Sequence, residues 1–186
     1  EFLLQDKFTS VNRVFVSDVR DVIFQDDPFK YTETQYDLEF FEEPDIIRNC
    51  HCNGGWTLSL FGPEGLQKIG DKNIICSGTT MGSRMGMLKY FDTMNKEIQL
   101  FQERGVRIKG GEDQPIHFYS IYDNKFENYK IHKNCESSVA TVSLQKEFLF
   151  DDQNRLIDNT GRVIPIVHQW DRIKQHYDKF YNNAME

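Results

Sequence analysis

Basic charge is what this sequence has least of for its size. Lys and Arg together number 22 against 29 Asp and Glu, so 186 residues carry a net charge of −7. No basic face is available to neutralise a phosphate backbone, which sets nucleic acid aside as a partner. Local basic groups can still hold a small phosphorylated ligand. Long apolar runs are also missing. No run approaches the roughly 20 residues that a membrane-crossing helix needs, and no charged-apolar-small signal pattern opens the chain. The chain begins at Glu1 rather than Met, which leaves an upstream signal or anchor open. Cysteine is sparse. Cys50, Cys52, Cys76 and Cys135 allow disulfides without requiring them, and Cys50-His51-Cys52 has one residue between thiols where zinc sites use two to four. Neither a Gly-x-Ser-x-Gly elbow nor a nucleotide P-loop occurs. An aspartyl-phosphate arrangement wants an acid two residues after Asp18, and that position is Arg20.

What is present is concentrated in Arg13-Val14-Phe15-Val16-Ser17-Asp18-Val19-Arg20-Asp21-Val22-Ile23-Phe24. A β-branched and aromatic run reads as a buried strand with an acidic exit, and a second apolar run follows. Carboxylates are costly inside a core. At the open end of a strand, where α/β folds place ligands and cations, they are cheap.

The rest of the chain alternates strand and helix signals. Gln25 to Phe29 reads as a turn around Pro28. Tyr36 to Phe41 reads as a strand entering an acidic patch. Residues 49–55 read as loop, and Pro63 to Ile69 as one or two helical turns. Asn73 to Cys76 reads as a short strand breaking at Ser77-Gly78-Thr79-Thr80. Met85, Leu88, Phe91, Met94, Ile98 and Phe101 recur at helical spacing, with Ser83 as N-cap and Gly105 as terminator. That Met and Phe stripe reads as core rather than a cofactor box. Gly110 to Pro115 leads into a helix through Ile116, Phe118, Tyr119 and Tyr122. Strand candidates follow at Ile131, Val139–Leu144 and Glu147–Phe150. Asp151 to Gly161 is turn-rich. Arg162 to His168 reads as a late strand, and Gln169 to Tyr181 as a closing helix with Trp170, Ile173, Tyr177 and Phe180 on one face. No internal repeat stands out. The expected fold is α/β, with a mixed sheet flanked by helices, in a single domain over 1–186.

Four places share a pattern of apolar element followed by a polar cluster: Asp18/Asp21, Ser77-Gly78-Thr79, Asp113-Gln114 and His168. Two carboxylates plus one imidazole suit a divalent ion. Oxygen ligands favour Mg²⁺ or Mn²⁺, and the His tilts the set toward Mn²⁺.

Four ordered segments resemble a GT-A-fold, nucleotide-sugar-dependent glycosyltransferase of the kind with an Asp-x-Asp-type motif and a late metal-binding His. Val14 to Asp21 is similar to the strand and acidic motif. Cys76-Ser77-Gly78-Thr79 is similar to the segment lining the donor-sugar pocket. Glu112-Asp113-Gln114 resembles the Asp-Gln that opens a helix beside the transferred sugar, and Val167 to Arg172 the late His segment. These span residues 13 to 172. The resemblance implies a GT-A-like sheet whose N-terminal nucleotide-binding half lies upstream, since only 17 residues precede Asp18. It implies sugar transfer from a nucleotide-sugar donor, usually a UDP-sugar, to a hydroxyl of a glycan, glycoprotein or lipid. Asp21 and His168 would hold the metal, and Asp18 would bind it directly, through water, or bind the donor ribose. Asp113 and Gln114 would face the donor sugar and its leaving bond, and Ser77, Gly78 and Thr79 the sugar or acceptor. Arg20 and Arg172 would meet diphosphate charge. Retaining relatives are the more similar. The secretory lumen is implied for a eukaryotic source and the cytoplasm for a bacterial one, with a membrane involved only through an upstream anchor.

Two departures stand out: Asp-Val-Arg-Asp is one residue longer than Asp-x-Asp, and Cys76 occupies a place often held by Asn. They keep a second reading in view, a non-catalytic carbohydrate-binding or interaction module. A two-carboxylate glycosidase also stays open, with no pair marked by its setting. Plain structural readings stand beside each residue. Asp18 and Asp21 could pair with Arg13 or Arg20, Asp113 could serve a helix N-terminus, residues 77–80 could be a turn, and His168 could be a core histidine. His51, His117, His132 and His176 show no partner spacing.

Overall fold

The computed structural model describes the chain except residues 1, 6, 7, 144–146, 173, 175, 176 and 186, so Leu144, Ile173 and His176 lie outside the described residues. The described residues are α/β, with mixed sheets and four α-helices. Strand β1 (Arg13–Ser17) lies antiparallel to β4 (Asn73–Ser83), β4 antiparallel to β3 (Leu38–Ile46), and β3 parallel to β5 (Tyr129–His132). A second sheet runs β2 (Val22–Phe24), β9 (Ile166–His168), β6 (Val139–Thr141), with β2 antiparallel and β6 parallel to β9. The run expected as one strand with an acidic exit is therefore two strands in two sheets. Asp18 to Asp21 is the crossing between them. No helix among the described residues is long and apolar enough to cross a membrane.

Helices α2 (Arg84–Glu103) and α3 (Asp113–Tyr122) pack on the first sheet, and α1 (His51–Ile69) packs against α3. Leu38, Phe40, Ile74, Ile75, Met87 and Phe118 fill that interface, each almost fully buried. Helix α2 begins as its sequence signals: the Ser83 hydroxyl accepts the Gly86 N–H at 3.0 Å. Gly105, at φ 75°, follows its end. Its buried face is Met87, Tyr90, Met94 and Phe101, whereas Met85 and Phe91 are 58% and 40% exposed. The stripe is core as expected, but rotated from the anticipated positions.

Residues 49 and 50 are turn and bend, as expected, but 51–55 are not a loop. Helix α1 starts at His51 and buries Asn53, Gly54 and Thr57. Gly54 lies so close to the preceding chain that a Cβ there would sit 3.2 Å from the Ile47 carbonyl. Tertiary contact outweighs poor intrinsic propensity here. The helix kinks at Gly62, whose φ of 68° only glycine adopts readily, and restarts at Pro63.

Strand β4 does not end at Cys76. The anticipated break falls in one ladder only. Phe40 pairs with Thr80, yet Glu42 pairs with Ile75, so Cys76 to Thr79 bulge away from β3 while Thr79 stays paired to Ser17 on β1. Small residues at 76–79 permit that excursion, which lies beside the Asp18–Asp21 crossing.

The late region is shorter in strand and richer in turns than anticipated. Among the described residues, β6 and β9 are the strands that form within the runs at 139–143 and 162–168. The short hairpin β7 (Leu149–Phe150) and β8 (Leu156–Ile157) precedes β9. Contrary to the expectation of no repeat, the turns hold a short one: Asp151-Asp152-Gln153-Asn154-Arg155-Leu156-Ile157 and Asp158-Asn159-Thr160-Gly161-Arg162-Val163-Ile164. In each unit the first Asp accepts the N–H of the Arg four residues on, at 2.8 and 3.0 Å, and the guanidinium Nε, at 2.8 and 2.7 Å. Gln25, expected in a turn, clamps this hairpin to β2. Its amide oxygen accepts the Leu156 N–H at 2.8 Å, and its nitrogen donates to the carbonyls of Leu156 and Ile164 at 3.2 and 2.8 Å. The closing helix starts later than expected. Gln169 takes φ 61°, Trp170–Arg172 form a 3₁₀ turn, and α4 spans Tyr177–Met185. Trp170 and Phe180 join Ile23, Leu156, Ile164 and Val167 in a second core.

Candidate metal and polyol site

The site grows from the β1–β2 crossing. The Asp18 N–H donates to the Gly78 carbonyl at 2.9 Å, which ties the crossing to the bulge of β4. Val22 pairs with His168 across the second sheet, and the Asp21 carbonyl accepts the Gln169 N–H at 2.7 Å. Asp18 and His168, 150 residues apart in sequence, are thus brought together by backbone hydrogen bonds before their side chains interact.

One ligand atom each from Asp18, Asp21 and His168 lie within 4.8 Å of one another. His168 is 1% exposed, and its Nε2 lies 3.3 Å from Asp18 Oδ2 and 3.9 Å from Asp21 Oδ1. Asp21 is buried, and its Oδ2 accepts from Arg172 Nη2 at 2.9 Å. The hydrogen bond from His168 holds the Asp18 carboxyl below its ordinary range, against the partial burial that would raise it. Gly78 makes this approach possible, since a Cβ there would stand 2.5 Å from Asp18 Oδ2 and 2.9 Å from His168 Cε1.

A second polar group adjoins the bulge. The Ser77 hydroxyl stands 3.2 Å from Asp113 Oδ2 and 3.4 Å from Gln114 Oε1. Asp113 opens α3, where an acid favours the helix N-terminus. Gln114 Nε2 donates to Glu43 Oε1 and to Asn53 Oδ1, both at 3.0 Å. Burial raises the Glu43 carboxyl, opposed by the Gln114 hydrogen bond. Burial likewise pushes the Cys76 thiol well up, and its sulfur lies 3.3 Å from His168 Nδ1.

Of the residues singled out from the sequence, Asp18, Asp21, His168, Gly78 and Arg172 come together, and Ser77, Asp113 and Gln114 form the adjoining group. Two do not join. The Arg20 side chain is 82% exposed, with its closest ion contact Asp171 at 3.9 Å. Thr79 is fully buried in the ladder with β1, so it presents no surface to a ligand. The pairing of Asp18 and Asp21 with Arg13 or Arg20 does not form either. Arg13 instead joins Glu39 and His132 in a separate buried cluster, and Asp21 takes Arg172. No disulfide joins Cys50, Cys52, Cys76 or Cys135. Glu43 and Asn53 were missed. Glu43 follows Glu42 with nothing in the sequence to separate their roles, and Asn53 sat in an assumed loop.

The donor set, two carboxylates and an imidazole nitrogen, fits Mn²⁺ or Mg²⁺. The adjoining group is dominated by acceptor atoms, which suits a ligand bearing hydroxyls. No known family, curated protein or solved structure matched this chain.

Proposed function

We propose that the chain forms the metal- and donor-sugar-binding part of a GT-A-like glycosyltransferase, moving a sugar from a nucleotide-sugar, a UDP-sugar by preference, to a hydroxyl acceptor. The observation that carries this reading is the convergence of Asp18, Asp21 and His168 beside the Ser77–Asp113–Gln114 group. Cation and polyol chemistry would thereby stand side by side. Asp18, Asp21 and His168 would hold a Mn²⁺ or Mg²⁺ ion, which when bound supplies positive charge to a leaving diphosphate. Arg172 lies on the same side, half-exposed, and can pair with phosphate oxygen in fork geometry. Asp113, Gln114 and Ser77 would accept hydrogen bonds from sugar hydroxyls and fix the anomeric carbon. The extra residue in Asp18-Val19-Arg20-Asp21 is accommodated, because the crossing between sheets folds both carboxylates toward His168.

The Arg172–Asp21 pair favours a second reading, since it already neutralises one of the acids. On that reading the fold is a carbohydrate-binding or interaction module without catalysis. Calorimetric titration of UDP into the full-length protein, with and without Mn²⁺, separates the two. Metal-dependent UDP binding and donor turnover, both lost in Asp21→Ala, are expected for the transferase. Turnover unchanged by Asp21→Ala refutes the metal role.

A further inference from the structure

Helix α1 carries a tryptophan that the cores do not use. Trp56 is partly exposed and belongs to none of the three apolar clusters of the fold. Among the described residues its ring meets no other aromatic ring, and its indole N–H has no hydrogen-bond partner. The contact between α1 and α3 does not depend on it, because Phe61 and Tyr119 stack there at 3.8 Å between centroids. An indole is a large apolar surface that ordinarily goes to a core or an interface.

What Trp56 does adjoin is the acceptor-rich group at the start of α3. Asn53, three residues earlier and on the same helix face, accepts from Gln114 Nε2 at 3.0 Å. The Gly111 carbonyl accepts the Gln114 N–H at 3.3 Å. The indole lies directly on Gly111, where a Cβ would stand 2.7 Å from Trp56 Cη2 and 2.8 Å from Cζ2. Gly111, at φ 89°, thus admits the ring two residues before Asp113. An aromatic plane and a set of hydroxyl acceptors stand next to each other. A pyranose ring matches that pair of surfaces. Its C–H face is apolar and slightly positive, which suits the negative face of an indole. Its hydroxyls radiate from the ring edge, which suits Ser77, Asp113 and Gln114.

We propose that Trp56 is the platform on which the pyranose ring of the donor stacks, and so a specificity-determining residue for a hexopyranosyl group. This rests on the reading of Ser77, Asp113 and Gln114 as acceptors for sugar hydroxyls.

The probes are UDP, UDP-glucose, UDP-galactose and UDP-N-acetylglucosamine. Each is titrated with Mn²⁺ into the full-length protein by calorimetry, and indole emission is followed in parallel. Trp56→Leu keeps an apolar side chain without a flat ring, and Trp56→Phe keeps a ring. At least one UDP-hexose should change the parent's emission where UDP does not, and that change should vanish in Trp56→Phe. Trp56→Leu should weaken the same UDP-hexose about 2- to 10-fold with UDP unchanged, and Trp56→Phe should restore most of the loss. Equal weakening of UDP and UDP-hexose, no difference between the leucine and phenylalanine variants, or an unmoved emission overturns the platform and leaves the transferase reading standing. If no UDP compound binds the parent, the UDP-sugar reading falls. The platform is then decided by methyl glucopyranosides and galactopyranosides: an emission change lost in Trp56→Phe supports it, and silence overturns it.

Discussion

Replacing Gly78 by alanine should empty the cation site while leaving the fold in place. A Cβ at this position would lie 2.5 Å from Asp18 Oδ2, 2.9 Å from Asp18 Cγ and 2.9 Å from His168 Cε1. Carbon and oxygen in ordinary contact stand about 3.5 Å apart, so the carboxylate must retreat by about 1 Å. His168 is buried and held in β9 by its pairing with Val22, so it cannot yield. Asp18 is more than half exposed and can rotate away. The backbone at Gly78 is extended strand that alanine adopts without penalty. The stability cost should therefore sit at the low end of the 1–3 kcal/mol typical of overpacking, about 1 kcal/mol. Metal affinity should suffer far more. Altering even an outer partner of a metal ligand costs about 10- to 100-fold, and losing Asp18 outright should cost at least that. Mn²⁺ titration followed by EPR, alongside urea unfolding of the same sample, reads the two effects separately. Parental Mn²⁺ affinity with parental stability in Gly78→Ala would refute the placement of Asp18 in the cluster. Loss of both together would show that the glycine serves packing alone.

Three further outcomes are expected. Gln25→Leu strands the Leu156 N–H and removes the Gln25 donor from the Ile164 carbonyl, while the Leu156 carbonyl keeps the Ile164 N–H. It should lower stability by about 2–3 kcal/mol, with faster amide exchange at Leu156 and Ile164; unchanged exchange there would show that Gln25 is no clamp. His117 is fully buried beside the Tyr90 hydroxyl, and burial lowers it to about 3. The unfolded chain takes up this proton below about 6.5 and the folded chain does not. Stability should thus fall with acidification between about pH 6.5 and 3, by up to about 1.4 kcal/mol per pH unit from this group. Urea midpoints of His117→Phe across that window should lose this share of the slope, and an unchanged slope refutes it. Phe40→Ala, in the centre of the main core, should cost about 3–5 kcal/mol in thermal or urea unfolding; a loss under about 1 kcal/mol would show that the core collapses around it.

What could be read without coordinates follows the range of the interactions involved. Helix α2 declares its own start through Ser83 and its end through Gly105, because caps act within one turn. Helix α3 does the same through Pro115. Where local preference and tertiary contact disagree, the sequence misleads. Asn53 and Gly54 look like loop, yet packing against Ile47 makes them helix. Val139 to Ser143 looks like a longer strand than the β6 pairing sustains.

The chemical types at the site, two acids, a late histidine and an Asp-Gln at a helix start, were set by sequence alone, because each is marked by its position at the end of a local element. Their convergence was decided only by tertiary structure. Whether Asp18 and Asp21 share an ion depends on a crossing between two sheets, and whether His168 meets them depends on β9 pairing with β2. Arg20 and Thr79 carry equally suitable chemistry but face solvent and core. Glu43 has no motif at all, and it enters through its hydrogen bond from Gln114. Chemistry is written residue by residue; direction and distance come from backbone pairing across the whole chain.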